Sequence, residues 1–524
     1  MTMVALGLCS SFFSVMVMLA VMYVVRRLGS KWTCSSAPGA LPPGPCPWPV
    51  VGSLPELKLF NKLPAFRWIH QVMEKMNTDI ACFRLGGVHV IPITCPRIAR
   101  EVLKKQDEIF ASRPETFASC VASGGYVEAA LAPFGVQSTK MRRVLTSDII
   151  SPSRHKWLHD KRVEEADNIS WYMYNLTGGE EGGNVDVRHL SRHYCGNVIR
   201  RLLFGTRYFG EAGHGGGPGK LEMEHMDASF AAQGILYSFC VSDYLPSLLG
   251  LDLDGHEKIV KDANAVLDRL HDGVIDERWK QWKAGERGEV QDFLDVLITR
   301  RDPRLTMEEV KAQAKLINLA AVDNPSNAAE WALAEMVKNP ELLGRAAEEL
   351  DRVVGRERQV QESDIPQLNY VKACIREAFR LHPIAPFNVP HVALADTVVA
   401  GYRVPKGSHV LLSRLGLGRN PAIWNDPLRF NPDRHLEGAG GNLELTENEL
   451  RFISFSTGRR GCVAPMLGTA MTVMLFGRLL HGFTWSKPAE MPDIQLTESH
   501  NDLSMAKPLV LHAKPRLPLH LYRP

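Results

Sequence analysis

The feature that most constrains this chain is an uncharged apolar run of twenty residues from Leu6 to Val25. As a helix, such a run is long enough to cross roughly 30 Å of hydrocarbon. Arg26, Arg27 and Lys31 follow the run, and no basic residue precedes it. This order keeps the rest of the chain in the cytosol and disfavours a cleaved signal peptide. We therefore predict a single-pass anchor at residues 1–30, in contact with membrane lipid, rather than a buried core helix.

A proline-rich segment separates this predicted anchor from the rest of the chain. Residues 38–49 read PGALPPGPCPWP. Proline fixes φ and removes backbone donors, so the segment is expected to be extended and semi-rigid. The chain therefore divides into the anchor at 1–30, a Pro-rich hinge at 31–55 and a globular body at 56–524.

The composition indicates an ordered body and argues against one class of partner. The chain has 524 residues, of which 45% are hydrophobic and 23% charged, as in ordinary globular proteins. Its 61 basic and 58 acidic residues leave a formal charge of only +3. No global field attracts nucleic acid, so we predict no nucleic-acid partner.

Helical patterns dominate the body. Apolar residues spaced by three and four predict helices at Glu308 to Val337, Glu341 to Val354 and Gln367 to Leu381. Phe83 to Thr94 and Thr397 to Leu412 instead read as short strands paired around glycine turns. We predict a mainly α fold with a smaller β-rich region.

One cysteine stands in a setting that favours a thiolate. Cys462 follows a turn with two glycines and two arginines, at 458–461, and precedes a helical pattern from Met466 to Leu480. Backbone N–H groups at a loop-to-helix junction and nearby guanidinium charge stabilise a thiolate. The residues alone leave a buried structural cysteine open as the alternative.

The same loop resembles a known signature. Phe455, Gly458, Arg460 and Cys462 match the haem-ligand pattern F-x-x-G-x-R-x-C of the cytochrome P-450 superfamily, although Ala464 stands where that family usually has glycine. The resemblance implies a cytochrome P-450 fold with haem b, whose iron takes Cys462 as its axial ligand. It also implies O2 as co-substrate and electrons from NADPH through a separate NADPH-cytochrome P-450 reductase. The chain has no flavin or nicotinamide motif of its own.

Other landmarks of that family follow in order. Glu377 and Arg380 resemble the E-x-x-R pair, and Arg434 lies where the family completes a structural charged triad. Glu377 and Arg380 share one helix face, although an ordinary surface ion pair would have the same spacing.

The resemblance also assigns residues to the haem itself. Phe455 belongs to the signature, and Arg460, Arg142 and His391 stand at positions that imply partners for the haem propionates. Ser138 replaces the tryptophan that the family usually carries four residues before the arginine at 142.

The pattern around Asp323 departs from the superfamily. Asp323 keeps the usual acid, but Asn324 replaces the threonine whose hydroxyl usually helps deliver protons, and Pro325 follows. We predict catalytic roles for Asp323 and Asn324. On proline grounds alone, residues 324–327 could instead form a loop between two shorter helices.

Four elements together are similar to the plant amino-acid N-monooxygenases that form aldoximes. They are Asn324 to Asn327, Phe387 to His391, His435, and the loop from Ser454 to Cys462. The resemblance implies two successive N-hydroxylations of an L-amino acid, phenylalanine or tyrosine, followed by loss of water and carbon dioxide. Phe387 and Asn388 are predicted pocket residues, and Asn388 with a nearby arginine would bind the substrate carboxylate.

Two other functions remain open from the sequence. The superfamily resemblance alone would also suit a carbon hydroxylase of a lipophilic plant metabolite. The replacement at Asn324 would suit a non-catalytic haem sensor or carrier. For the enzyme we predict the endoplasmic reticulum membrane with the body facing the cytosol, and a reductase that meets Lys140, Arg143 and Arg459.

Overall fold

The computed structural model describes residues 39–60, 63–437, 441–500 and 502–523. The predicted anchor from Leu6 to Val25 lies outside these residues. Within the described residues, no helix is both long and apolar enough to cross a membrane.

Helices form most of the body, which confirms the mainly α prediction. The α-helices are α1 Ala65–Lys75, α2 Pro96–Arg100, α3 Phe117–Ala122, α4 Val136–Val144, α5 Pro152–Trp157, α6 His159–Leu176, α7 Val187–Phe204, α8 Lys220–Leu236, α9 Val241–Tyr244, α10 His256–Ala284, α11 Phe293–Thr299, α12 Met307–Lys338, α13 Pro340–Val353, α14 Asn369–Leu381, α15 Arg414–Gly418 and α16 Pro465–Gly482. The predicted helices near 308, 341, 367 and 466 correspond to α12, α13, α14 and α16.

Shorter helical turns of other types connect these elements. The π-helical turns are Glu56–Phe60, Glu101–Lys105 and Leu145–Ile149. The 3₁₀ turns are Gly179–Glu181, His214–Gly216, Pro246–Leu248, Glu362–Gln367, Pro432–His435, Gly458–Arg460 and Leu519–Leu521.

The strands form small sheets at the side of the helical body. They are β1 Phe83–Leu85, β2 Val88–Ile93, β3 Gly183–Asp186, β4 His391–Val392, β5 Thr397–Val399, β6 Tyr402–Val404, β7 His409–Leu412, β8 Phe483–Ser486 and β9 Val510–Pro515. One sheet has the order β1-β2-β7-β4, a second has β3-β9-β8, and β5 pairs with β6. All pairs are antiparallel except β2 with β7, whose register sets Val90 opposite His409. The strand pairs predicted at Phe83 to Thr94 and at Thr397 to Leu412 are therefore confirmed by the β1-β2 and β5-β6 pairs.

Helix α12 runs through the core of the protein. Its start is fixed by a capping box in which Thr306 Oγ1 accepts from the Glu309 amide at 3.2 Å and Glu309 Oε2 accepts from the Thr306 amide at 3.0 Å. The helix continues through Pro325 without interruption and ends just before Pro340. The alternative in which residues 324–327 form a loop between two helices is therefore wrong. Tertiary packing outweighs the local preference, because α12 is buried against α7, α14 and α16.

Candidate active site

The loop around Cys462 is closed on itself by backbone hydrogen bonds. The Cys462 amide donates to the Phe455 carbonyl at 2.8 Å, and the Ala464 amide donates to Cys462 Sγ at 3.3 Å. Cys462 is exposed, yet the surrounding protein still desolvates its thiol and raises its pKa. The Ala464 amide, Arg142 and Arg414 oppose this rise because each favours the thiolate. The sulfur is therefore accessible and has donors and cations around it.

Two glycines give this loop its shape. Gly458 has φ +74°, and a Cβ there would clash with the carbonyl oxygen of Leu103, so a larger residue would be strained and crowded. Gly468, in the first turns of α16, leaves room for the Phe455 ring. That ring also meets Phe379 edge-on, with the ring centroids 6.3 Å apart. Phe455 therefore wedges the loop between α14 and α16.

Three arginines converge beside the loop, and we call Arg113, Arg142 and Arg460 the interior arginine cluster. Arg142 Nη2 donates to the Gly461 carbonyl at 2.7 Å, which ties α4 to the cysteine loop. Arg460 donates to the carbonyls of Ala111, Ala129 and Ala132, and Arg113 donates to those of Ala130, Val389 and Pro390.

Burial and mutual repulsion act on this interior arginine cluster. Burial, with the nearby Arg460 and Arg142, lowers the pKa of Arg113 to about 9. Burial and Arg142 lower the pKa of Arg460 to about 10. Glu128 is the one carboxylate that opposes both shifts among the described residues. The chain itself therefore leaves positive charge uncompensated here, which an anionic ligand would balance.

His391 lies beside the interior arginine cluster and has one free ring nitrogen. Its Nδ1 is 2.7 Å from the Phe110 carbonyl, and its buried Nε2 has no hydrogen-bond partner in the described part of the chain. Burial and Arg113 lower the pKa of His391 to about 3. With Nδ1–H donating to the carbonyl, Nε2 could donate only in the imidazolium form, which a nearby anion would favour.

These residues fit a haem. An accessible sulfur beside cationic groups suits a thiolate ligand of iron, and the excess positive charge suits two propionates. The unpartnered His391 Nε2 is a further polar atom that such a group would satisfy. Arg142, Arg460 and His391, predicted from the sequence, are brought together, whereas Arg113 was missed. A lone arginine before Pro114 carries no local pattern that would have identified it.

A second charged group lies at the centre of the protein, and we call Glu377, Arg380, Arg434 and His435 the Glu377 network. Glu377 accepts from Arg380 Nε at 2.8 Å and Nη2 at 2.7 Å, and from Arg434 Nε at 3.0 Å. His435 Nε2 also lies 2.8 Å from Glu377 Oε2. These partners hold the pKa of Glu377 at about 2 although burial alone would raise it. His435 was not predicted as a member, because only the fold brings its ring to this carboxylate.

Asp323 and Asn324 lie in the middle of α12. Burial raises the pKa of Asp323 to about 7, against the opposing charge of Arg192. The Arg192 guanidinium itself lies over the Phe230 ring, 3.5 Å from the ring centroid. Asn324 lines a small cavity together with Asn327 and Arg414. Pro325 has no amide hydrogen and therefore cannot donate to the carbonyl of Ala321 one turn earlier.

A cavity of about 140 Å³ lies on the α12 side of this region. Its walls come from the segment before and after α3, the end of α8 with the residues that follow it, α12, and the turn at Val389 and Pro390. Ser119 and Ala122 of α3 also line this cavity. The sequence analysis did not predict that Gln233 and Tyr237, at the end of α8, line this cavity. No local pattern links them to the other lining residues, most of which are far away in the sequence.

The two predicted pocket residues occupy different surroundings. The Phe387 ring stacks on His70, with centroids 5.3 Å apart, and meets Phe239 edge-on at 6.2 Å. Asn388 faces the interior, where its Oδ1 accepts from Arg414 Nη2 at 3.3 Å and its Nδ2 donates to Ser456 Oγ at 3.4 Å. The pocket role of Phe387 stays a prediction.

The surface cations predicted to meet a reductase differ in how free they are. Lys140 Nζ lies 2.6 and 2.7 Å from the two carboxylate oxygens of Glu309, so its charge is neutralised within the protein. Arg459 is 3.7 Å from Asp107 and 3.9 Å from Glu108. Arg143 is exposed and forms no ion pair with any residue that the structure describes.

Comparison with known proteins places the chain among relatives of the same architecture. The family model for cytochrome P-450 matches residues 42–512. Tyrosine N-monooxygenase of Sorghum bicolor is 70% identical over 504 residues, covering 94% of this chain and 90% of that protein. Valine N-monooxygenase 1 of Manihot esculenta is 56% identical and tryptophan N-monooxygenase 1 of Arabidopsis thaliana 55% identical, each covering 92% of this chain and 89% of the relative.

These matches extend over nearly the whole body and include the cysteine loop, the Glu377 network and α12. They confirm the fold predicted from the haem-ligand signature. The chain belongs to the cytochrome P-450 family.

Proposed function

We propose that this protein is an L-amino-acid N-monooxygenase that converts tyrosine or phenylalanine into the corresponding aldoxime. The observation that carries the proposal is the 70% identity to a tyrosine N-monooxygenase over 94% of the chain. Relatives at 55 to 56% identity are named for tryptophan and valine. The relatives thus share the reaction type in their names, whereas the amino acid that they are named for differs among those of lower identity.

The reaction consists of two hydroxylations at nitrogen and one elimination. Each hydroxylation inserts one oxygen atom of O2 into an N–H bond and reduces the other atom to water with two electrons and two protons. The N,N-dihydroxy amino acid then loses water and carbon dioxide to leave the aldoxime. Bound haem supplies the oxidant, and NADPH supplies the electrons through a separate reductase.

The residues around Cys462 hold that haem in the proposal. Cys462 provides the thiolate, and Phe455 keeps its loop wedged in place. Arg142, Arg460 and His391 would hold the propionates, whose negative charge would balance the interior arginine cluster. Glu377, Arg380 and Arg434 fix the chain segments behind the loop and touch no ligand.

Asp323 and Asn324 manage protons in the proposed reaction. A carboxyl group whose pKa is about 7 exchanges protons readily at neutral pH. The Asn324 side-chain amide offers a donor and an acceptor to an ordered water in a turn without the usual hydroxyl, and the carbonyl of Ala321, to which Pro325 cannot donate, offers a further acceptor. Asn388, which lies between Arg414 and Ser456, borders the substrate in the proposal, and Phe387 precedes it in the chain segment that leads to Val389 and Pro390 in the cavity wall.

We further propose that the body rests on the endoplasmic reticulum membrane, faces the cytosol and uses no nucleic acid. Leu249, Leu251 and Leu253 are 51%, 63% and 63% exposed on one loop. The ion pair from Lys58 to Asp254, at 2.9 Å, brings this loop next to the exposed Leu59. An exposed apolar patch of this kind suits contact with lipid. It lies beside the segment that follows the predicted hinge.

The reductase is proposed to dock on the cysteine side of the protein. Arg143 is the cation that supports this proposal best, because the charge of Lys140 is already paired with Glu309. An acidic flavoprotein surface would be attracted by such an exposed guanidinium.

The proposed function is tested with membranes that carry the full chain and a reductase. They are incubated with NADPH and each proteinogenic amino acid in turn, and oximes are identified by mass spectrometry. We expect an oxime from tyrosine or phenylalanine and none from the Cys462→Ala variant. Inertness toward every amino acid would contradict the proposal, and oxidation of carbon in a lipophilic metabolite under the same conditions would replace it.

A further inference from the structure

Arg414 is a partly buried arginine with a fully buried Nε, and no described residue balances its charge. It is the first residue of α15, separated from the end of β7 by one residue, and its amide donates to the Pro386 carbonyl at 2.9 Å. Among the described residues its side chain makes one hydrogen bond, from Nη2 to Asn388 Oδ1 at 3.3 Å. The buried Nε has no hydrogen-bond partner within the described residues.

Several buried arginines of this protein are paired with carboxylates. Arg380 pairs with Glu377, Arg376 with Glu447 and Arg162 with Glu362, all at 2.6 or 2.7 Å. Arg414 forms no ion pair with any residue in the described part of the chain. A buried guanidinium without an anion is costly, so such a residue points to a ligand that brings the missing negative charge.

The groups that face Arg414 separate it from the interior arginine cluster. Burial lowers the pKa of Arg414, and the charges of Tyr237, Cys462 and Asp323 oppose that shift. None of the three arginines of the cluster acts on it. Arg113, which lines the 140 Å³ cavity, already donates from Nε and Nη1 to three carbonyl oxygens. Arg414 therefore has the freer donors and lies toward the catalytic residues of α12.

The place of Arg414 matches the shape of an α-amino acid. Arg414 lines the same small cavity as Asn324 and Asn327. Asn324 directly follows Asp323 in the sequence. The carboxylate and the amino nitrogen of an α-amino acid share one carbon atom. A carboxylate held at Arg414 would therefore keep the nitrogen close to the Asp323 and Asn324 turn.

We propose that Arg414, oriented by Asn388, binds the α-carboxylate of the substrate and so restricts the enzyme to free amino acids. A guanidinium can donate two hydrogen bonds in parallel to one carboxylate. Asn388 Oδ1 fixes the direction of the guanidinium, and Ser456 in the cysteine loop in turn holds Asn388. This inference rests on the proposed function and names the residue that recognises its substrate class.

The test measures ligand binding on the haem-loaded full chain by the shift of its Soret band. Tyrosine, or whichever amino acid yields the most oxime, is titrated beside imidazole, which binds the iron and carries no carboxylate. For Arg414→Met we expect the Kd for the amino acid to rise roughly 10- to 100-fold, as for the loss of a charge-assisted hydrogen bond. The Kd for imidazole should change by less than about twofold, and Arg414→Lys should lie between Arg414→Met and the wild type.

Two further variants make the result specific. Arg345→Met removes an exposed arginine that pairs with Asp433 and should leave both dissociation constants unchanged. Arg113→Met tests the rival arginine, and a selective loss of amino-acid binding there, with Arg414→Met unaffected, would overturn the inference. An equal weakening of both ligands in Arg414→Met would also overturn it, because that pattern indicates a structural role.

The outcomes keep this inference apart from the proposed function. If the wild type forms an oxime and Arg414→Met keeps its amino-acid affinity, only the carboxylate assignment fails. If the wild type forms no oxime from any amino acid, the proposed function fails and the assignment falls with it. Should Arg414→Met not retain haem, Arg414→Lys supplies the comparison.

Discussion

Two groups of charged residues in the interior of this protein differ in whether neighbouring residues supply the opposite charge. In the Glu377 network, one carboxylate receives Arg380, Arg434, His435 and the Asn431 amide, all within 3.0 Å. In the interior near Cys462, the arginines of the cluster face one another's positive charge with little carboxylate to balance it, and Arg414 likewise forms no ion pair with any described residue.

The pKa values express the same contrast. Partners hold the pKa of Glu377 at about 2, whereas the pKa of Asp323 rises to about 7 and that of Arg113 falls to about 9. Charges that are balanced within the chain stabilise the fold. Charges that are left unbalanced identify where ligands bring the missing charge, here a haem and an amino acid.

The largest effect is expected when the balanced group is broken. Glu377→Gln leaves Arg380 and Arg434 buried without their anion, so we expect a loss of about 3–5 kcal/mol in the free energy of unfolding. Denaturant unfolding of the haem-loaded protein measures it. The matched control is Asp433→Asn, which breaks an ion pair with Arg345 whose side chains are 49% and 44% exposed. That change should cost less than about 1 kcal/mol. Equal effects in both variants would contradict the contrast.

Asp323 should make the free energy of unfolding depend on pH. Its pKa in the folded protein, about 7, exceeds the ordinary value of 3.8, so the folded state binds more protons between these pH values. The stability that this group contributes is full below pH 4 and is lost as the pH rises to 7, by about 2–4 kcal/mol. Asp323→Asn should remove this loss, which unfolding at pH 5 and pH 8 would measure. An unchanged pH slope in the variant would contradict the account, and the exposed Asp396→Asn serves as control.

Within the interior arginine cluster, removal of one charge should weaken haem retention more than it weakens the fold. For Arg460→Met we expect haem transfer to apomyoglobin to quicken roughly 10- to 100-fold, for the loss of one charge-assisted contact. Arg459→Met is the neighbouring control, because Arg459 is 47% exposed in its side chain and pairs only at 3.7 Å or more. If both variants released haem at the wild-type rate, the cluster would have another purpose.

The smallest expected effect concerns the surface. Arg143→Glu should raise the reductase concentration needed for half-maximal rate by roughly two- to fivefold, since exposed ion pairs contribute little. Lys140→Gln should change it less, because Lys140 is already paired with Glu309. The reduced haem spectrum should be the same in both. A larger effect at Lys140 than at Arg143 would reverse the assignment of the docking cation.

The parts of the fold that the sequence predicted are those specified by neighbours along the chain. Helix α12 has a capping box at Thr306 and a proline after its last turn, both readable as local signals. The cysteine loop is a continuous motif in which each residue has a local task. Pro325 shows the limit, since burial on several sides keeps α12 continuous where local preference favoured a break.

The parts that the sequence did not predict depend on contacts between distant segments. Arg113 meets the carbonyls of Val389 and Pro390, and Lys140 meets Glu309. His435 joins the Glu377 network across nearly sixty positions. Each is a single polar residue without a repeating pattern. Only the packing of helices and strands shows whether its charge is balanced.

The most direct test of the central claim is the absorption spectrum of the reduced protein with carbon monoxide. The account predicts the red-shifted Soret band of a thiolate-bound haem in the wild type and its absence in Cys462→His. A wild-type band at the position typical of histidine-bound haem, or the red-shifted band persisting in Cys462→His, would contradict it.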